Sequence, residues 1–95
     1  MRLVVSRTAR ADLKGIGAYT AQKWGEAQKA RYLSAIRERF GALRNNPALG
    51  RPRPDISEAY RSLPVGRHMI YYRIAKDALV IIRVLHQSMD VRLHL

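Results

Sequence analysis

The chain opens with a short β-branched run, Arg2-Leu3-Val4-Val5, followed at once by Ser6 and Thr8, hydroxyl residues suited to capping a helix N-terminus. Leu13, Ile16, Thr20 and Trp24 then recur at steps of three and four, with Ala9 one turn earlier. Asp12 falls in the opening turns, where a negative charge complements the helix dipole. Gly25 ends this helix, and a second begins at Glu26. Along it Ala30, Leu33, Ile36, Phe40 and Leu43 form one apolar stripe while Arg31, Arg37, Glu38, Arg39 and Arg44 lie elsewhere, and Asn45-Asn46-Pro47 stops it. A connection this short forces the two helices into an antiparallel hairpin, whose apolar seam needs a sheet to cover it. On this pattern Trp24 and Phe40 are core residues.

Residues Pro47 to Ser57 hold three of the four prolines and form a loop of restricted flexibility. Three runs rich in Tyr, Ile and Val follow, Ala59 to Pro64, His68 to Ala75 and Ala78 to His86, separated by Val65-Gly66-Arg67 and by Lys76-Asp77. They predict an antiparallel meander. The last run is apolar on both parities, with Val80, Ile82 and Val84 on one face and Leu79, Ile81 and Leu85 on the other, so it belongs in the middle of the sheet. Tyr71 and Tyr72 point to opposite faces, one into the core and one free to stack or bond. The tail from Gln87 to Leu95 fits an edge strand or a short helix equally well. The predicted fold class is α+β: an N-terminal strand, an antiparallel helical hairpin and a three-stranded antiparallel meander, in one domain over residues 1–95.

Charge changes the picture. Eighteen Lys and Arg stand against seven Asp and Glu, a net charge of +11, and fourteen of the cations are arginine. Arginine's planar fork suits phosphates and carboxylates, so a polyanionic partner is expected, either nucleic acid or an acidic protein. The absence of cysteine excludes disulfides, thiolate nucleophiles and cysteine-ligated zinc. The apolar run Ala78 to Ile82 is far shorter than the ~20 residues a bilayer span requires. No signal-peptide core precedes it. A cytoplasmic protein without a membrane partner is expected.

Little of the sequence fits cofactor chemistry. His68, His86 and His94 lack the spacing of a metal site, and the six glycines match neither a Walker loop nor a dinucleotide loop. No metal and no cofactor are expected. Metal-free RNA cleavage has candidate parts on or beside the meander in Arg61, Arg67, Arg73, Arg83, His68 and His86. Structural roles compete with this. Arg83, on a central strand, calls for an ion pair with Asp55 or Glu58, and His86 for a hydrogen bond to the following turn with Asp90 as a partner.

Several ordered segments together resemble the ParE branch of the RelE/ParE toxin superfamily, over nearly the whole chain. The first is Ala9, Asp12-Leu13, Ile16, Tyr19, Trp24-Gly25 and Ala30 through Tyr32; the second is the loop Pro47-Ala48-Leu49-Gly50-Arg51-Pro52-Arg53. Most specific are Tyr60-Arg61-Ser62-Leu63-Pro64, then His68-Met69-Ile70-Tyr71-Tyr72-Arg73, then the run from Ile82 through His86 to Asp90. The resemblance implies the fold just described, an acidic ParD-like antitoxin whose C-terminal segment folds onto the toxin, and growth arrest through DNA gyrase trapped on cleaved DNA. The RelE branch instead implies a ribosome-dependent messenger-RNA endonuclease, with Arg61, Arg83 and His86 as the reduced catalytic set. Against that branch, no tyrosine follows His86 and the meander's only lysine is Lys76, in a turn. The expected reading is thus an inhibitor without catalytic residues of its own. Its expected target contacts are Arg61, Arg67, Arg83, His86, Asp90 and Arg92, and its expected antitoxin contacts are Tyr19, Trp24 and Arg73.

Overall fold

The computed structural model describes residues 1–95. Strand β1 (Arg2–Val5) leads into helix α1 (Arg7–Trp24), helix α2 (Glu26–Asn45), and strands β2 (Arg51–Pro52), β3 (Tyr60–Val65), β4 (His68–Ala75) and β5 (Ala78–His86). Ser6 caps α1 as its sequence position predicts, its hydroxyl accepting the Ala9 N–H at 3.0 Å. Gly25 joins the helices in a backbone conformation, φ 92°, that a side chain would oppose. Gly17 lets α1 and α2 approach closely, since a Cβ there would lie 3.1–3.2 Å from Lys29 and Leu33.

All five strands form one sheet in the order β1-β5-β4-β3-β2. The meander is antiparallel, whereas β1 lies parallel to β5, with Val5 opposite Ile81. The helices cover one face. Ala9, Ile16, Ile36, Phe40 and Leu43 from the hairpin pack on Ile70, Tyr72, Leu79, Ile81 and Val84 from the sheet. The opposite face carries only a small cluster, Tyr71, Leu85 and Val91, flanked by Ile56 and Met69.

Four sequence expectations need correction. The loop after α2 contains a 3-10 turn (Pro47–Leu49) and the two-residue edge strand β2, where Pro52 leaves no amide for a further strand. The parity of β5 is not uniform. Tyr71 and Tyr72 of β4 oppose Arg83 and Ile81, so Ile82 is an extra residue, a β-bulge, and Leu79, Ile81 and Val84 share the helix-covered face. Trp24 is 67% exposed rather than buried, because the core at that end of α1 closes at Thr20, and Tyr32 from α2 packs against it. Ala30, also assigned to the stripe, is exposed. The tail resolves as a 3-10 helix (Val91–Leu93) whose Val91 is buried.

Tyr71 and Tyr72 do divide between faces. Tyr72 is fully buried, and its hydroxyl donates to Pro47 O at 2.7 Å and accepts Gly50 N–H at 2.9 Å, fastening the loop to the sheet. Tyr71 lies in the small cluster with the Arg53 guanidinium 5.5 Å above its ring.

Candidate functional site

Where β1 ends, the edge of β5 remains open, and α1 runs alongside it. Ser6 Oγ donates to Ile82 O at 2.8 Å, and the Asp12 carboxylate accepts the Val84 N–H at 2.9 Å, so two side chains take the place of the missing strand. The same carboxylate holds Arg83 in a two-pronged pair, Nε and Nη2 each at 2.8 Å, and Arg83 Nη1 donates to His94 O at 2.6 Å. Both partners are largely shielded, and the pairing with Asp12 holds the Arg83 guanidinium above its already high ordinary pKa. Arg83 therefore pairs with Asp12, not with Asp55 or Glu58. Asp55 instead pairs with Arg53 at 2.9 Å, and this pairing draws the Asp55 carboxyl below its usual range.

Beyond Asp12 the space between α1 and the strand ends widens into a groove of about 400 Å³, lined by Gly15, Tyr19, His68, Val84, His86 and Met89 among others. It continues past Tyr19 into a second hollow of about 270 Å³ between Trp24, Gln28, Tyr32 and the Gly66-Arg67 turn. Tyr19 and Trp24, 61% and 67% exposed, are large aromatic surfaces left in water on this rim. Thr20 beneath them is buried with its hydroxyl bonded to Ile16 O at 2.7 Å, so it contributes no free polar group.

Two histidines mark the floor where the hollows meet. His68 and His86 are directly opposed across β4 and β5, with ring centroids 5.4 Å apart. Tyr32 Oη lies 2.6 Å from His68 Nδ1, and Ser88 N–H donates to His86 Nδ1 at 3.1 Å. His86 thus bonds its following turn as expected, but through Ser88. Asp90 pairs with Arg92, whose guanidinium and backbone N–H lower its carboxyl pKa. Burial first, and then the neighbouring His86, push the His68 imidazole below its ordinary 6.5, with Asp12 acting the other way.

The six residues expected to touch a target divide. Arg67 and His86 line the groove; Asp90 and Arg92 form an exposed pair on the tail; Arg83 is committed to Asp12; and Arg61 donates to Gly50 O at 2.7 Å. The alternative nuclease set does not converge. Arg61 aligns through Tyr72 with Ile81, two strands over from His86 and, because Ile82 is bulged, four ladder steps short of it, about 10 Å across and 13 Å along the sheet. Arg83 opposes Tyr71, on the other face from the helices. Arg73, the third expected antitoxin contact, also lies on that other face, in a shallow depression with Tyr60, Val80 and Ile82. Asp12 and Tyr32 are the site residues that sequence reasoning did not assign, and His68 entered it only among the candidate parts for RNA cleavage. Their partners are 71 and 36 positions away, and only a close histidine pairing predicted for β4 and β5 would have pointed to them.

Comparison with known proteins places this geometry. Residues 3–91 match the family model for the ParE toxin of the type II toxin-antitoxin system, parDE. Toxin ParE1 of Caulobacter vibrioides is 38% identical over 96% of this chain and 94% of its own, and Toxin ParE1 of Mycobacterium tuberculosis is 35% identical over 95% and 93%. Among solved structures, a chain of the chromosomal ParDE system from P. aeruginosa superposes with a TM-score of 0.80 at 23% identity, covering 90% of this chain and 95% of that one. A chain of the RelBE2 complex from Mycobacterium tuberculosis superposes at 0.68 with 28% identity, again covering 90% and 95%. Family match, curated relatives and fold agree: the chain belongs to the ParE toxins of type II toxin-antitoxin systems.

Proposed function

We propose that this toxin is neutralised by an acidic ParD-type antitoxin, a segment of which occupies the groove between α1 and the ends of β4 and β5, and that the released toxin acts on DNA gyrase. The observation that carries the antitoxin reading is the exposed pair Tyr19 and Trp24 beside a groove on a chain of charge +11. Exposed aromatics bordering a concavity are what a partner segment buries, and thirteen of the eighteen cations have no acidic partner within the chain. An acidic, partly disordered segment gains long-range attraction from that surplus and apolar area from the groove.

The gyrase reading follows from the ParE rather than RelE character of the chain. Its weight is increased by the separation of Arg61, Arg83 and His86, which leaves the nuclease set without a shared centre. The decisive test incubates purified toxin with gyrase, supercoiled plasmid and ATP, with detergent trapping of cleaved DNA, beside a ribosome messenger-cleavage assay. Linear plasmid that appears with toxin and disappears when a ParD-type antitoxin is added is the expected result. Cut messenger with gyrase unaffected would overturn it.

A further inference from the structure

The groove's polar floor has a feature that apolar docking alone does not require. His68 and His86 have their Nδ1 atoms engaged by Tyr32 and by Ser88, so on each ring Nε2 is the nitrogen without a partner in the chain. The groups around the pair are Asp12 and Tyr19 from α1, Tyr32 from α2 and Arg67 from the β3–β4 turn. Asp12 is the only acid lining this space, and its oxygens are taken by Arg83 and the Val84 N–H. Burial first, and then the His86 ring, therefore disfavour a second proton on His68 in the empty groove.

The surroundings can accommodate a charged ring all the same. Tyr32 Oη accepts the Arg67 N–H at 3.1 Å, and its own proton has two destinations, His68 Nδ1 at 2.6 Å or Val65 O at 3.2 Å. When His68 is neutral the hydroxyl donates to it. When the ring gains a proton, Nδ1–H donates to the hydroxyl and the hydroxyl turns to Val65 O. Either way the Tyr32 hydroxyl has a group to donate to.

We infer that the groove recognises its acidic partner through a carboxylate seated between His68 and His86 beside Arg67, and that this seat takes up protons as it fills, so that the complex tightens as the pH falls. The inference rests on the proposal that the groove is the partner's seat. A carboxylate at this position lowers the cost of charging the His68 ring, and linkage requires that whatever favours protons also favours the anion. For each proton taken up, affinity rises about tenfold for each unit by which the pH falls between the pKa of the filled site and that of the empty one.

The test uses the full chain, a short synthetic peptide of glutamate and leucine, and a glutamine and leucine counterpart, with binding read from the fluorescence of Trp24, the sole tryptophan, on the groove rim. The glutamate peptide is expected to bind at least tenfold more tightly at pH 6 than at pH 8, while the glutamine peptide binds equally at both. In His68→Gln and His86→Gln the pH dependence of glutamate-peptide binding shrinks. Histidine ring titration followed by NMR in the unsubstituted protein, with and without peptide, gives an answer independent of those variants. Upward displacement of the His68 ring titration by the glutamate peptide is expected. Equal binding at both pH values, or ring titrations unmoved by bound peptide, overturns the carboxylate seat while leaving the groove reading intact. Failure of both peptides to perturb Trp24 at any pH overturns the groove reading, and the seat with it.

Discussion

Arg83 and Asp12 meet across 71 positions of sequence, joined by two hydrogen bonds of 2.8 Å, and the same carboxylate accepts the Val84 N–H. One acid thus ties α1 to the strand edge that β1 leaves uncovered, and through Arg83 to the tail at His94. Either partner left alone would be a shielded charge without compensation. Arg83→Ala and Asp12→Ala are each expected to cost about 3 kcal/mol in urea unfolding, with the double variant costing much less than the sum. A loss of toxicity in Arg83→Ala should then track the lost stability, and independent costs in the double-mutant cycle would refute the pairing as their common cause.

Tyr72 fastens the loop after α2. Tyr72→Phe removes the acceptor for the Gly50 N–H and the donor to Pro47 O, an expected loss of about 1–3 kcal/mol by the same measurement. Gly50→Ala should cost at least as much, because an added methyl overlaps the Tyr72 phenol and the Ser62 carbonyl.

Tyr19 and Trp24 should behave in the opposite manner. Being exposed, they are expected to change stability by less than about 0.5 kcal/mol on replacement by Ala. Binding of a ParD-type antitoxin, measured by calorimetry, should weaken by about 2 kcal/mol for at least one of them. Unchanged affinity in both variants would remove these residues from the interface.

How much of this was legible in the sequence depends on how far each cause reaches along the chain. Ser6, Gly25 and Pro47 act within a few residues of themselves, and the helix boundaries they imply are those observed. The β5 frame change was hidden because a strand apolar on both parities gives no sign of where an extra residue sits; only the pairing with Tyr71 and Tyr72 reveals Ile82. Asp12 has an adequate local explanation as a charge near a helix start, which masks its partner on β5. Trp24 continued a periodic stripe correctly, yet the core beneath that stripe ended one turn sooner.

The depressed pKa of His68 has its own consequence for folding. The unfolded ring binds a proton near pH 6.5 while the folded ring resists it, so its contribution to stability is complete above about 6.5 and is lost as pH falls through the folded value. Thermal unfolding of the free toxin should therefore show midpoints that decline below pH 6.5, and His68→Gln should flatten that segment of the profile. A decline of the same slope in the variant would assign it to other groups.

The parallel pairing of β1 with β5 also has a meaning in time. The first strand of the chain has no neighbour until the last strand exists, and the helical hairpin has no floor until Ile70, Leu79, Ile81 and Val84 arrive. At the pace of translation, the ~40 residues separating Leu43 from Val84 take roughly 2–8 s to add. Until β4 and β5 are made, the hairpin's apolar seam has no sheet to cover it and the groove lacks two of its walls. The proposed antitoxin seat is thus among the last surfaces synthesised, and it exists only once folding can be completed.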